Sequence, residues 1–355
     1  MRSIHPARHV VLRAAGDRLA LRLPVRALLI VLVLVVLLLA LVAVSLGLGS
    51  YGLSVEQVIQ TLHGTTLSAM IDNVVWQLRL PRTCVAALAG AMMALSGASL
   101  QNVTRNSLAD PSLVGVSQGA ALAVVTLTVA FPDLGPGWRP WMAFGGSIAV
   151  AALIQSLSIT RQGVSSVRFI LMGIGVAALM SSVTSALMTY GALDRAMSAL
   201  TWLSGSIGAA SWIDVSTLSW WMAVLFPILL VQSRAMAVMR LGEATATGLG
   251  APVRRHNYAL ISTSVALAAV ATSVVGPLGF IGLIAPHAAR RLAHAGVGLA
   301  LVITGLLGAV MVLAADLAGR TLFAPLQIPA GLVTAFVGVP FFVWLLFRSG
   351  RSAQT

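Results

Sequence analysis

The sequence predicts an all-α, polytopic membrane protein, and three observations predict it. Of its 355 residues 58% are hydrophobic and only 9% are charged, where soluble domains carry about 25% charged residues. The mean hydropathy is +0.96. The apolar stretches continue for about 20 residues without alternating, which is the length a helix needs to cross hydrocarbon and not the period-two pattern of a barrel strand. Only helices and closed barrels satisfy their backbone groups inside a bilayer, so helices remain.

In chain order, uncharged runs long enough to span lie at 27–48, 83–102, 113–131, 141–159, 169–190, 215–232, 257–275, 297–315 and 329–347. A tenth segment, Pro277–Ala289, is short for a straight crossing and rich in glycine and proline. Such broken segments are tolerated where neighbouring helices bury them. The arginines decide whether it crosses. With ten crossings and the N-terminus inside, 17 of the 22 arginines are cytoplasmic and five (Arg79, Arg82, Arg139, Arg195, Arg320) are outside. With nine crossings the last segments invert and the split falls to 14 against eight. The positive-inside bias therefore favours ten, with both termini cytoplasmic.

The remaining segments follow from this frame. Residues 1–26 form a basic cytoplasmic segment carrying six arginines. The run after it exceeds the roughly 7–15 apolar residues of a signal peptide and is read as a retained first helix. Residues 27–347 form one ten-helix membrane domain, with a cytoplasmic loop at 234–256 inside it and a cytoplasmic tail at 348–355. Two outer connections, 49–80 and 191–214, carry Trp76, Trp202 and Trp212, residues suited to the aromatic belt at a membrane surface.

Composition also excludes function classes. The net charge of +13 comes entirely from arginine, and its one-sided placement argues for topology over nucleic-acid binding. A phosphate-binding loop for ATP needs a lysine, and the chain has none, so any ATPase driving it is a separate polypeptide. Cys84 is the only cysteine, so neither an intrachain disulfide nor a thiolate metal cluster can form. The six histidines show no metal-ligand spacing. No cofactor is expected on this chain, and no catalytic residue. No charged residue sits near the centre of a span, where proton-coupled carriers usually hold one; a stand-alone secondary carrier is therefore the remote rival.

The densest signal runs from Arg79 to Gly119. Gly90 and Gly97, and the Gly115-x-x-x-Gly119 pair, are small-residue positions that let helix backbones approach closely. Between them Asp110 is placed to cap the following helix, with Pro111 in its first turn.

Six segments carry a resemblance. They are RLPR at 79–82, GASLQNVTRNSLADPSLVGVSQGAAL at 97–122, WLSGSIGAASW at 202–212, LGEATATGLGAPV at 241–253, GPLGFIGLIAPHAARRL at 276–292 and ADLAGRTLFAPLQIPAGLVTAFVGVPFFVWLL at 315–346. In this order they resemble the FecCD family, the iron–siderophore, haem and cobalamin permeases of bacterial ABC importers. The resemblance covers 79–346. It implies ten helices, an inverted pseudo-repeat of helices 2–5 and 7–10, a second permease copy, two ATPase subunits that hold the ATP and Mg, and an external substrate-binding protein. It places the chain in the bacterial inner membrane. The stretch FAPLQIPAG is more similar to siderophore permeases than to haem or cobalamin members, so ferric siderophore is the expected cargo. Two positions depart from the family: Ser107 stands where proline is common, and Gly296-Val297-Gly298 where Asp-His-Arg is common. The second departure puts ATPase contacts by those charges in doubt.

The resemblance also implies roles. Arg79, Arg82 and Arg320 match outer-face arginines that dock the binding protein, with interfacial anchoring, or for Arg320 an i,i+4 pair with Asp316, as the alternative. Leu241, Gly242, Glu243, Gly248, Leu249, Gly250 and Arg254 match the loop that couples to the ATPase, expected as a short helix around Leu241–Thr247 broken near Gly248–Pro252. Small, uncharged residues such as Gly173, Ser181 and Ser182 suit a wide, weakly binding conduit, and suit helix packing equally.

Overall fold

The computed structural model describes residues 9–14, 19–49, 52–64, 68–160, 163–164, 166–293 and 295–352. Parts of the basic segment 1–26 and the end of the tail 348–355 lie outside the described residues. The fold is helical, with two small antiparallel strand pairs. Strands β1 (His9–Ala14) and β2 (Leu19–Pro24) pair in one, and β3 (Ile159–Thr160) and β4 (Gly163–Val164) in the other.

The helices follow in order: α1 (Val25–Gly47), α2 (Val55–Leu62), α3 (Ala69–Asn73), α4 (Leu80–Thr104), α5 (Val116–Ala130), α6 (Arg139–Leu157), α7 (Ser166–Tyr190), α8 (Leu193–Leu203), α9 (Trp212–Met239), α10 (Glu243–Gly248), α11 (Val253–Val275), α12 (Ile281–Leu292), α13 (Val297–Thr321) and α14 (Ala330–Ser352). A π-helical stretch, Val74–Arg79, joins α3 to α4, so Ala69–Thr104 is one continuous rod. Each of the ten apolar segments expected from the sequence contains a helix, that of the tenth beginning only at Ile281. Among the described residues seven helices are long and apolar enough to cross a membrane, and Val116–Ala130 and Ala330–Leu345 are shorter apolar helices. The glycine- and proline-rich tenth segment becomes α12, with Pro286 inside it.

The rod is the centre of the bundle. Its most apolar 18-residue window is 83% buried, that of α11 67% and that of α13 56%, against 11% for α1 and α7 and 22% for α9. The outer helices therefore expose large apolar side chains, including Leu32, Val33, Leu171 and Trp220.

Glycine sets the spacing at the centre. A Cβ built on Gly90 would strike the carbonyl of Gly308 on α13, and one on Gly97 the carbonyl of Gly282 on α12. Gly119 and Gly146 make the same backbone-to-backbone approach between α5 and α6. Without lipid-excluding hydrophobic drive between helices, such close packing is what holds a membrane bundle together.

At one end, three broken segments meet. Gly331 N–H donates to the Gly205 carbonyl at 2.9 Å. Gly205 (φ 70°) and Gly276 (φ 74°) each lie against the other's chain, at Pro277 and Trp202 respectively. Side chains there would clash and would also have to adopt a left-handed backbone.

The outer connection 49–80 contains helix α2, too short to register in hydropathy. Ser54 and Gln57 form a reciprocal capping box on α2, which satisfies two otherwise unpaired backbone donors. Trp212 Nε1–H donates to the Trp76 carbonyl at 2.8 Å, tying the two outer connections together.

Candidate functional site

The two ends of α4 carry the two clusters of polar and charged residues that matter. At its first turn stand Arg79 and Arg82, and α13 brings Asp316 and Arg320 to the same place. Arg82 forks onto the Asp316 carboxylate, with Nε at 3.0–3.1 Å from both oxygens and Nη2 at 2.9 Å from Oδ1. Its remaining Nη1 donates to Gln327 Oε1 at 3.1 Å. Asp316 is 1% exposed, so this charge is matched by a geometry that guanidinium is built to give.

Arg79 and Arg320 do something else. Arg79 Nη1 donates to the carbonyls of Leu46 (2.6 Å) and Gly47 (2.9 Å). Arg320 donates to the Ser45 and Leu48 carbonyls, both at 2.7 Å, and to Ser45 Oγ at 2.6 Å. A helix leaves its last four carbonyls without intrahelical partners and concentrates negative partial charge there. Two buried arginines thus clamp the C-terminus of α1 onto α4 and α13. Docking of a partner calls for side chains at an exposed face. Instead Arg79 is 7% and Arg320 8% exposed, and Arg82 alone keeps part of its side chain, 16%, at the surface. The i,i+4 pair of Arg320 with Asp316 exists at 3.7 Å, as the weaker of its contacts.

The other end of α4 belongs to the segments 97–122 and 276–292, which pack on one another. Gln101 Nε2 donates to the carbonyls of Ala109 (3.2 Å) and Gly282 (3.1 Å), while Gln101 Oε1 accepts from Arg290 Nη2 at 2.8 Å. Asp110 caps the turn Pro111–Val114 by accepting from Ser112 N–H at 2.8 Å. The cap is where the sequence places it, on a 3₁₀ turn that precedes α5. Asp110 is buried, and burial pushes its carboxyl above the usual range while the Ser112 hydrogen bonds oppose this.

Beside this end lies the loop after α9. The short helix is α10, Glu243–Gly248, one to two residues later than expected. It is bracketed by Gly242 (φ 104°) and Gly250 (φ 80°), which only glycine adopts without strain. Leu241 and Leu249 flank it at 61% and 66% exposed, an apolar pair with nothing over it in the monomer. Glu243 pairs with Arg105 at 3.7 Å, both side chains well exposed, a geometry worth at most about 1 kcal/mol. Arg254 lies 5.9 Å over the Tyr258 ring.

Along α7, Ser181 opens onto a cavity of about 340 Å³ shared with Gln118, Thr184, Ser185, Leu200 and Pro277. Ser182 is exposed and donates to the Ala178 carbonyl at 2.9 Å. Gly173 is buried near Gly115. The three residues therefore have different surroundings, with Ser181 beside this cavity.

This architecture recurs in known proteins. The FecCD transport family model matches residues 37–348. The Fe(3+)-citrate import system permease protein YfmE of Bacillus subtilis (strain 168) is 38% identical over 304 residues, 86% of this chain and 90% of that protein. The achromobactin transport system permease protein CbrC of Dickeya dadantii (strain 3937) is 40% identical over 276 residues, 78% and 79% of the two chains. A solved inward-facing conformation of a metal-chelate type ABC transporter superposes with a TM-score of 0.80 at 29% identity, covering 90% of this chain and 99% of the other. The chain belongs to the FecCD transport family and is a multi-pass permease subunit of a metal-chelate type ABC importer.

Proposed function

We propose that this chain is the translocating, non-catalytic subunit for a ferric siderophore, crossing the bacterial inner membrane ten times with both termini in the cytosol. Two copies would enclose the path and a separate pair of ATPase subunits, carrying ATP and Mg, would drive it. The observation that carries the reading is the α10 loop. An exposed helix of six residues is held out by two left-handed glycines and flanked by two exposed leucines, in a chain with no lysine for a nucleotide site of its own. Such a feature suits a seat in a partner that moves it. The cargo assignment rests on the resemblance of the 323–331 stretch to siderophore permeases and on relatives named for iron chelates.

The test is co-expression with the partner ATPase. Leu241→Asp with Leu249→Asp is expected to abolish ATPase co-purification and uptake while leaving the permease's melting midpoint unchanged, since both side chains are exposed. Retained co-purification contradicts the coupling role. Uptake by the intact complex is then compared across ferric siderophores, haem and cobalamin, and haem or cobalamin uptake without siderophore uptake contradicts the cargo.

Binding-protein docking falls to the surface edge formed by Arg82 and Gln327, with Arg79 and Arg320 holding α1 beneath it. Charge at a wet rim steers encounter and fixes register. Gln327→Glu, at an exposed position, is expected to weaken binding-protein affinity; unchanged affinity contradicts this placement.

A further inference from the structure

A recess of about 280 Å³ opens at the end of α4 that carries Arg105, between that helix, the end of α9 and the end of α12. Arg105, Arg240 and Arg290 line it together with Gln101 and Asn102. The three arginines come from three elements far apart in sequence. The positive-inside bias requires only that arginines lie on this side of the membrane; it does not require them to converge. Arg234, Arg254 and Arg255 satisfy the bias without lining the recess.

The recess has a large excess of donors and of positive charge. Each guanidinium has five N–H donors. The side-chain acceptors they meet are Gln101 Oε1, which takes one bond from Arg290, and Glu243, a loose partner of Arg105 at 3.7 Å. Arg240 meets no side-chain acceptor among the described residues. Like charges held around one cavity repel unless an anion or water lies between them. Arg290 is half-buried and cannot swing away freely, since Gln101 holds it and is itself fastened to the backbone of Ala109 and Gly282.

We propose that this recess binds a phosphate group. Several guanidinium donors from three sides match the oxygens of a tetrahedral anion, and basic pockets between membrane helices on the cytoplasmic side suit phospholipid headgroups. The source is an anionic lipid headgroup of the adjoining leaflet or a soluble phosphate. A carboxylate from a partner protein is the competing occupant; the recess is lined from three elements, whereas the exposed leucines of the neighbouring loop form the protein-facing feature. Bound phosphate would link α4, α9 and α12 at the root of the α10 loop and compete with Glu243 for Arg105.

The experiment uses the full chain, purified in detergent and stripped of lipid, with Cys84 as a reporter. It is the single cysteine and half-buried, so a thiol-reactive dye follows unfolding. Melting midpoints are measured against inorganic phosphate with chloride as control at equal ionic strength, and against phosphatidylglycerol with phosphatidylcholine as control in mixed micelles. The wild type is expected to be stabilised by phosphate, by phosphatidylglycerol or by both; phosphatidylglycerol alone assigns the lipid, and a response to inorganic phosphate assigns a site open to soluble phosphate. Arg240→Gln, at an exposed position, is expected to weaken the apparent affinity about ten- to hundredfold, the loss of a charge-assisted contact. Arg105→Asn, which keeps a residue tolerant of the left-handed backbone there (φ 51°), is expected to do the same. Arg255→Gln, on the same face outside the recess, is expected to leave it unchanged. The proposal is overturned if the wild type responds to neither anion, as a site reserved for a partner's carboxylate would, or if Arg255→Gln loses as much as Arg240→Gln.

Discussion

Gly97→Ala is expected to prevent accumulation of folded permease. The added carbon would land on the carbonyl, carbonyl carbon and Cα of Gly282. These are backbone atoms inside a helix, so no rotamer change relieves the clash, and α4 and α12 must separate. Overpacking at a side-chain site costs about 1–3 kcal/mol; here the loss exceeds that range. Separation also pulls Gln101 from the Gly282 carbonyl and moves Pro111 and Asp110, both packed against Gly282. Gly175→Ala is the control, because nothing lies within 4 Å of a Cβ there. Yield of monodisperse protein and the melting midpoint measure both. Equal behaviour of the two variants contradicts the close crossing.

Asp316→Ala is the second large effect. It leaves the Arg82 fork without its carboxylate and removes the only acid within salt-bridge distance of Arg320 among the described residues. Breaking a buried ion pair from one side costs about 3–5 kcal/mol, whereas an exposed pair is worth at most about 1 kcal/mol. The destabilisation is expected to be nearly independent of added salt, because buried charges are poorly screened. The double variant Asp316→Ala with Arg82→Ala is expected to lose less than the two single losses together, since each single change strands the partner charge. A loss below about 1 kcal/mol that vanishes at high salt contradicts this account of the cluster.

These two cases mark what a single sequence can disclose. Gly97 reads as a close-approach position from its small neighbours, and Asp110 reads as a cap because capping is local. Helix α10 is legible for the same reason: its residues, its break and its basic stop are contiguous. The nine continuous apolar runs each fall on a helix, although α9 and α13 extend six to seven residues past the expected ends because a helix carries on beyond its apolar stretch. Helix α2 was readable in principle from Ser54 and Gln57 at capping-box spacing, but a hydropathy reading passes over an eight-residue helix. What sequence spacing cannot disclose is the Asp316 hub. Arg82 is separated from Asp316 by 234 positions and Arg320 from Ser45 by 275. An outer arginine looks the same in sequence whether it faces a partner or fastens a helix end, and here two of three are fastened. The recess of Arg105, Arg240 and Arg290 was hidden likewise, its members counted only as cytoplasmic charge.

We propose that this chain forms a conduit with no energy source of its own. The most direct measurement is transport of ferric siderophore into proteoliposomes holding the purified chain, with and without the ATPase subunits and binding protein. Uptake against a gradient is expected only when both partners and ATP are present, with no nucleotide hydrolysis by the chain alone. Uphill uptake or ATP hydrolysis by this subunit in isolation contradicts it.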